Sequence, residues 1–273
     1  MPFRTLAAMC CVIAFIAAPA NAGANAARNL LLAMGFDTYL DSTSASFQAA
    51  DNPLAADDAA MRRAWTDAAA QVFNADTMMA DIAADLSTNL AEDDIAMLMG
   101  FYSAGLGARV TELEEIAQNP ANSARSDTEG RAILAKLIAD ENPRLDAYQR
   151  MSDALGAIDS GAATAMNLSF ALLNGIASSG KLPYQLTEDQ ILAIVMGQQD
   201  QIRSTIQQEL FVSFAYTYRN LSDAELEEYI AFLTSDVGRG LYLKLNSATE
   251  TVLQDRAHAF GVRFMELQSA QAL

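Results

Sequence analysis

From Thr187 to Leu221 the apolar residues Ile191, Val195, Ile202, Ile206, Leu210, Phe214, Tyr218 and Leu221 stand three, four or seven positions apart. Those steps place them on one face of a helix, and no stretch of the chain shows the sustained apolar-polar alternation of a half-buried strand. Helix starts are marked as well. Thr187-Glu-Asp-Gln190 and Ser222-Asp-Ala-Glu225 have the spacing of capping boxes, in which a hydroxyl and an acid or amide three residues on exchange bonds with each other's backbone. After the second box, Leu226, Ile230 and Leu233, flanked by Tyr229, form the buried stripe of a short helix. Ser126-Asp-Thr-Glu129 predicts a third start, for a helix reaching about residue 141. Asn142-Pro143 then restarts the chain with a cap and a proline at the first helical position. The helical pattern continues through Leu145, Tyr148, Met151 and Leu155 to the Gly161 region and resumes from Met166 to Ile176. The expected class is all-α.

One segment is written twice. FYSAGLGAR at 101–109 and FLTSDVGRG at 232–240 follow the same order, and a shift of 131 residues maps Asn89-Leu90 onto Asn220-Leu221, Phe101 onto Phe232 and Gly107 onto Gly238. Helical stretches of equal length, 57–89 and 188–220, lead into both, and each is followed by an acid-rich helix start. We therefore expect a helical bundle of two diverged repeats, each a long helix, a short helix and a glycine corner. In domain terms this gives an export segment at 1–22, one lobe at 23–125, a connecting helix at 126–142 and a second lobe at 143–273.

The two corners differ. Ser235 and Asp236 are suited to end one helix and cap the next, with Gly238 inside the new turn, where a missing side chain lets it press on a neighbour. The first corner has Gly105 in place of Asp236, no capping side chain, and Arg109 nearby. Gly105, Gly107 and Arg109 thus form a candidate acceptor for a partner's carboxylate at a free helix start.

Asn-Leu-Ser-Asp-Ala-Glu-Leu followed by Phe232-Leu-Thr-Ser-Asp-Val-Gly238-Arg239 resembles the helical family catalogued as domain of unknown function 2059. The likeness extends over residues 185–265 and more faintly over 57–115. Asp236 and, in the first copy, Gly105 stand where that family often has proline. The resemblance implies an exported bacterial helical protein and brings no assigned chemistry.

The first residues agree with export. Arg4, an uncharged run from Leu6 to Ala18 and Ala20-Asn-Ala22 have the form of a signal segment cleaved before Gly23, which predicts a periplasmic or secreted protein. Cys10 and Cys11, the only cysteines, leave with that segment, so the exported chain forms no disulfide. With 17 basic and 34 acidic residues the net charge is -17, which disfavours nucleic acid as a partner.

Catalytic patterns are few. Gly175-Ile-Ala-Ser-Ser-Gly180-Lys181 has the glycine-lysine spacing of a phosphate loop but continues with Leu182 where Ser or Thr is needed, and reads as a helix end followed by a loop. His258 is the single histidine, and beside Phe260 and Phe264 it reads as a surface or partly packed side chain. Glu92-Asp-Asp94 and Glu225 with Glu227-Glu228 suit helix starts, while Glu112, Glu114 and Glu115 read as a solvated face. Phe211, Phe214 and Tyr218 share a packed side; Tyr216 points elsewhere, toward solvent or the other lobe. No metal and no cofactor is expected. The leading functional expectation is a non-enzymatic module binding an envelope protein or peptide. The alternatives are a carrier of an apolar small molecule between the lobes and, behind it, a carboxylate-dependent hydrolase.

Overall fold

The computed structural model describes residues 19–49, 59–178 and 186–270, and among these every regular element is helical. The first half contributes α1 (Pro19–Ala33), α2 (Phe36–Ala49), α3 (Ala59–Val72), α4 (Ala75–Asn89), α5 (Glu92–Tyr102) and α6 (Gly105–Gln118). The second contributes α7 (Ser123–Ala139), α8 (Arg144–Leu155), α9 (Ala157–Ser178), α10 (Glu188–Met196), α11 (Gln199–Thr217), α12 (Asp223–Thr234) and α13 (Asp236–Ala270). The run from Arg4 to Ala18, with Cys10 and Cys11, lies outside the described residues, as do Gly180 and Lys181. None of the described helices is long and apolar enough to cross a membrane.

Several boundaries follow from the caps. At α10 and α12 both halves of the capping box form: Thr187 and Ser222 accept from the N–H three residues on, and Gln190 and Glu225 bond back. Two long helices expected from periodicity are each broken. Asn74 caps α4 by accepting from the N–H of Thr77, which divides 57–89 in two, and a turn at Gly197-Gln198 separates α10 from α11. Ser126 opens no helix. The chain already turns at Asn119-Pro120, α7 starts at Ser123, and the Ser126 hydroxyl donates to the carbonyl of Ser123 within the first turn. The interruption expected near Gly161 falls instead at Gly156, whose φ of +59° ends α8 in the left-handed region.

Buried side chains form two adjoining cores. One gathers α1 to α5 with α9 and most of α13, around Leu30, Trp65, Phe73, Ile82, Phe260 and Phe264. The other joins α6, α8, α11 and α12 around Val110, Tyr148, Phe214, Tyr218 and Tyr229. The cores do not divide the chain at 126–142: α13 and α9, from the second half, complete the first core, and α6, from the first half, enters the second. Phe101, Phe232 and Tyr242 pack against both. Helices α9 and α13 pack closely along their length. A Cβ on Gly175 would stand 2.4 Å from the carbonyl of His258, and one on Gly261 would stand 2.6 Å from that of Leu172, so only glycine admits this approach.

The seam between the cores is built from the two written-alike corners. Helices α5 and α12 start 131 residues apart, at 92 and 223, and so do α6 and α13, at 105 and 236. Phe101 and Phe232 lie face to face, 3.6 Å between centroids and 6° from parallel. Behind each ring stands a glycine with the same constraint: a Cβ on Gly107 or Gly238 would fall 2.2 Å from the carbonyl oxygen of Phe101 or Phe232 respectively. The corners are terminated differently. Ser235 accepts from the N–H of Gly238 at 3.1 Å, with Asp236 in the first turn, whereas Gly105 makes its turn with a φ of +61° and Ala104 offers no capping side chain.

These contacts predict unequal glycines. Gly107→Ala and Gly238→Ala should each lower unfolding free energy by about 1–3 kcal/mol, because backbone has to move to admit the methyl group. Gly240→Ala, two residues on in the same helix with nothing within 4 Å of the added atom, should raise it by about 0.5–1 kcal/mol. Urea unfolding of the three variants checks this, and equal effects would contradict it.

Candidate functional site

On α6 the buried residues Gly107, Val110 and Thr111 define a stripe, and the next position on it is Glu114. The surroundings of this carboxyl are unusual for an acid. The Tyr218 hydroxyl donates to Glu114 Oε1 at 2.6 Å and the Tyr229 hydroxyl to the same oxygen at 3.2 Å. Tyr229 and Tyr242 stand 3.4 Å apart oxygen to oxygen, and Tyr242 and Tyr102 2.9 Å apart. Three phenols from α5, α13 and α12 therefore form one chain, Tyr102–Tyr242–Tyr229, that ends on a carboxyl from α6, and Tyr218, which caps α11, bonds the same oxygen separately. Glu114 Oε2 has no protein partner among the described residues.

Burial pushes the Glu114 carboxyl up to about 7, and the two phenolic hydrogen bonds that favour its charged form offset only part of that. Burial likewise holds Tyr102, Tyr218 and Tyr229 well above the usual phenol range and Tyr242 at about 12, with the nearby carboxyl adding to each. The phenols thus stay neutral donors at physiological pH, and Glu114 is the group of this cluster that changes charge near neutrality.

Glu114, Tyr102 and Tyr242 face a cavity of about 630 Å³ between α2, α6, α9, α11 and α13. Its walls are mainly apolar and aromatic, with Phe36 and Phe47 from α2, Leu168 from α9, Ile206 from α11 and Leu253 from α13. Thr249 also lines it: this residue is 8% exposed, and its hydroxyl has no hydrogen-bond partner among the described residues. A buried, unsatisfied hydroxyl costs about 1–3 kcal/mol. Among the described residues of the lining there is no Lys, Arg or His.

The residues singled out from sequence lie elsewhere. Arg109 does not face its own corner: it pairs with Glu225 and donates at 2.9 Å to the carbonyl of Asn220. Arg144 donates to the carbonyls of Leu221 and Tyr218 at 3.0 and 2.9 Å, so two arginines cap the carbonyl-rich end of α11. Gly107 is packed against Phe101, and the free N–H groups after Gly105 lack the cation expected beside them. Ser235, Asp236 and Gly238 form the second corner as described above. His258 is exposed; Tyr216 is 2% exposed, with Arg219 over its ring at 3.8 Å.

The expected solvated face at Glu112, Glu114 and Glu115 is corrected in part. Glu112 is exposed, but Glu114 is half-buried, bonded by two tyrosines beside the cavity, and Glu115 packs over Gly35, where burial, Asp37 and Glu112 raise its carboxyl. The signal for Glu114 was present in its three- and four-residue steps from Val110 and Thr111. What it would meet there was not, because its partners come from helices more than 100 residues away in sequence. No group of three or more His, Cys, Asp or Glu able to hold a metal occurs among the described residues. Scans of the chain against protein-family models, curated proteins and solved structures return no match.

The Glu114 carboxyl has a calculable effect on stability. Folded, it keeps its proton up to about pH 7; unfolded, it releases it near 4.5. Between those values the folded chain binds more protons, so this contribution is complete below the lower value and is lost as pH rises through the upper one. Relative to Glu114→Gln, which accepts the same phenolic bonds without titrating, the wild type should lose about 1–3 kcal/mol of stability between roughly pH 5 and pH 8. Parallel stability curves for the two proteins over that range would contradict this raised ionisation of Glu114.

Proposed function

We propose that this protein is an exported, non-enzymatic carrier that encloses an apolar small molecule in the cavity between α2, α6, α9 and α13. One observation carries this: about 630 Å³ of aromatic and aliphatic lining interrupted by a few convergent polar atoms, two of them, Thr249 Oγ1 and Glu114 Oε2, without protein partners. That size and composition match the general form of small-molecule sites, and polar atoms without partners are what a ligand would satisfy. A nucleophile-base pair is not needed for holding and release, and Glu114 serves as a contact rather than a reagent.

Binding of an envelope protein or peptide, the leading expectation from sequence, was drawn from the lack of a catalytic set and from the long amphipathic helices, with the first corner as its candidate contact. With Arg109 engaged at Glu225 and Asn220, that corner keeps uncapped N–H groups alone, which favours the carrier. The placement in the cell envelope rests on the amino-terminal sequence and on the resemblance described above. We also propose that the chain arose by duplication. The equal spacing of the helix starts, the Phe101-Phe232 stack and the shared constraint on Gly107 and Gly238 support this. In such an arrangement the ligand site lies where elements of the two halves meet.

Ala165 of α9 lines the cavity, and Ala165→Phe should fill part of it. The neutral fluorophore N-phenyl-1-naphthylamine should bind the wild type saturably and bind this variant at least about tenfold more weakly, the cost of competing for occupied volume. Fluorescence titration of both proteins, with circular dichroism to verify folding, makes the test. Equal affinity in the filled variant would remove the cavity as the site.

A further inference from the structure

The chemistry inside the cavity restricts the class of molecule it accepts. Glu114 is a half-buried carboxyl whose charged form burial disfavours, and none of the described lining residues carries a positive charge to pair with it. Its two hydrogen bonds both come from neutral phenols and both go to Oε1. When ionised it therefore lacks a counter-charge, a costly condition that a charged ligand group is able to relieve. A ligand carboxylate or phosphate would place a second negative charge beside the first. An alcohol would supply one hydrogen bond and leave the charge uncompensated. A protonated amine supplies both the donor for Oε2 and the missing charge, in a low-dielectric setting where a charge-assisted bond is strong.

The rest of the lining agrees. Phe36, Tyr39, Phe47, Tyr102 and Tyr242 present rings to the same cavity, and aromatic faces attract cations. Thr249 Oγ1, buried and without a partner, is a second acceptor for an ammonium N–H. The net charge of -17 raises the local concentration of cationic solutes around the molecule.

We infer that the cavity takes an apolar molecule bearing one protonated amine, with the ammonium at Glu114 and the apolar body against α2, α9 and α13. This assignment rests on the cavity being a ligand site, as proposed above. It also makes binding depend on the ionisation of Glu114. The titratable groups facing that carboxyl are Tyr102 from α5, Tyr218 from α11, Tyr229 from α12 and Tyr242 from α13, with Tyr39 of α2 on the cavity wall. All of these are phenols that burial keeps protonated. The groups that α9 presents to the cavity, including Ser160 and Thr164, do not titrate.

The test uses three probes with the same apolar chain: octylamine, 1-octanol and octanoate, titrated calorimetrically into the exported chain at pH 8 and pH 5.5. Octylamine should bind at pH 8 at least about tenfold more tightly than octanol, and octanoate more weakly than either. Lowering the pH to 5.5, where Glu114 holds its proton while octylamine stays charged, should weaken octylamine by about tenfold or more and leave octanol nearly unchanged. Glu114→Gln should remove both the preference and its pH dependence. If octanol equals octylamine at pH 8, or if octylamine binds as well at pH 5.5, the amine assignment is wrong while the cavity remains a ligand site. If none of the three binds, the carrier function falls and the amine with it. Should Glu114→Gln fail to fold, the ranking and pH dependence in the wild type decide the question unaided.

Discussion

Phe101 and Phe232 meet ring on ring, and the two cores, the glycine corners and the tyrosine cluster are arranged around that contact. A centroid separation of 3.6 Å leaves no room between the planes, so the stack fixes how closely α5 approaches α12. Such a pair contributes about 0.5–1.5 kcal/mol beyond the burial of its surface. Its larger consequence is geometric. Tyr102 follows Phe101 directly and meets Phe232 edge to face. Tyr229, nearly one turn before Phe232, lies parallel to it at 6.5 Å. Gly107 and Gly238 allow α6 and α13 to leave their corners against the aromatic carbonyls, which brings Glu114 and Tyr242 toward the same point.

The cluster at that point solves half of an electrostatic problem. A carboxyl removed from water must be neutral, paired or strongly hydrogen-bonded. Here two phenols bond it, and no arginine takes part. Arg109 and Arg144, which act close by in the sequence of contacts, instead cap the carbonyls of Tyr218, Asn220 and Leu221 and so hold the turn that positions Tyr218. Burial favours its proton and the two phenolic hydrogen bonds favour its charge, which is why its ionisation falls near neutrality.

The cavity beside it depends on a different constraint. Packing of α9 on α13 through Gly175 and Gly261 draws these helices together toward one end, while at the other end Ser160, Thr164, Asn246 and Thr249 line the cavity, with the Asn246 amide reaching the Ser160 hydroxyl at 3.5 Å. The Asn246 amide donates to the carbonyl of Leu155 at 3.1 Å, tying α13 to the end of α8. The third wall, α2, is anchored by the Trp65 indole N–H, which donates to the carbonyl of Phe47 at 3.0 Å, and by the stacking of Phe47 on Phe73.

Local chemistry made much of the chain legible in advance. Capping boxes at Thr187 and Ser222, the buried stripe of α12 and the corner at Ser235 depend on residues within one or two turns, and each has the role its spacing predicts. Periodicity was less informative about interruptions: Asn74 and the Gly197 turn divide helices whose apolar spacing continues across the break. The recurrence of the aromatic-glycine segment was visible in the letters, but that its two copies stack on each other was not. Nor was the setting of Glu114, since an acid on a short helix looks alike whether the opposing surface is water or four tyrosines. The sequence by itself determined the helical class, the caps and the glycine corners, all of which follow from interactions between near neighbours. Only the tertiary structure decided that Arg109 belongs to Glu225, that Glu114 meets two tyrosines, and that a cavity remains between α2, α9 and α13, because those outcomes depend on which distant surfaces come together.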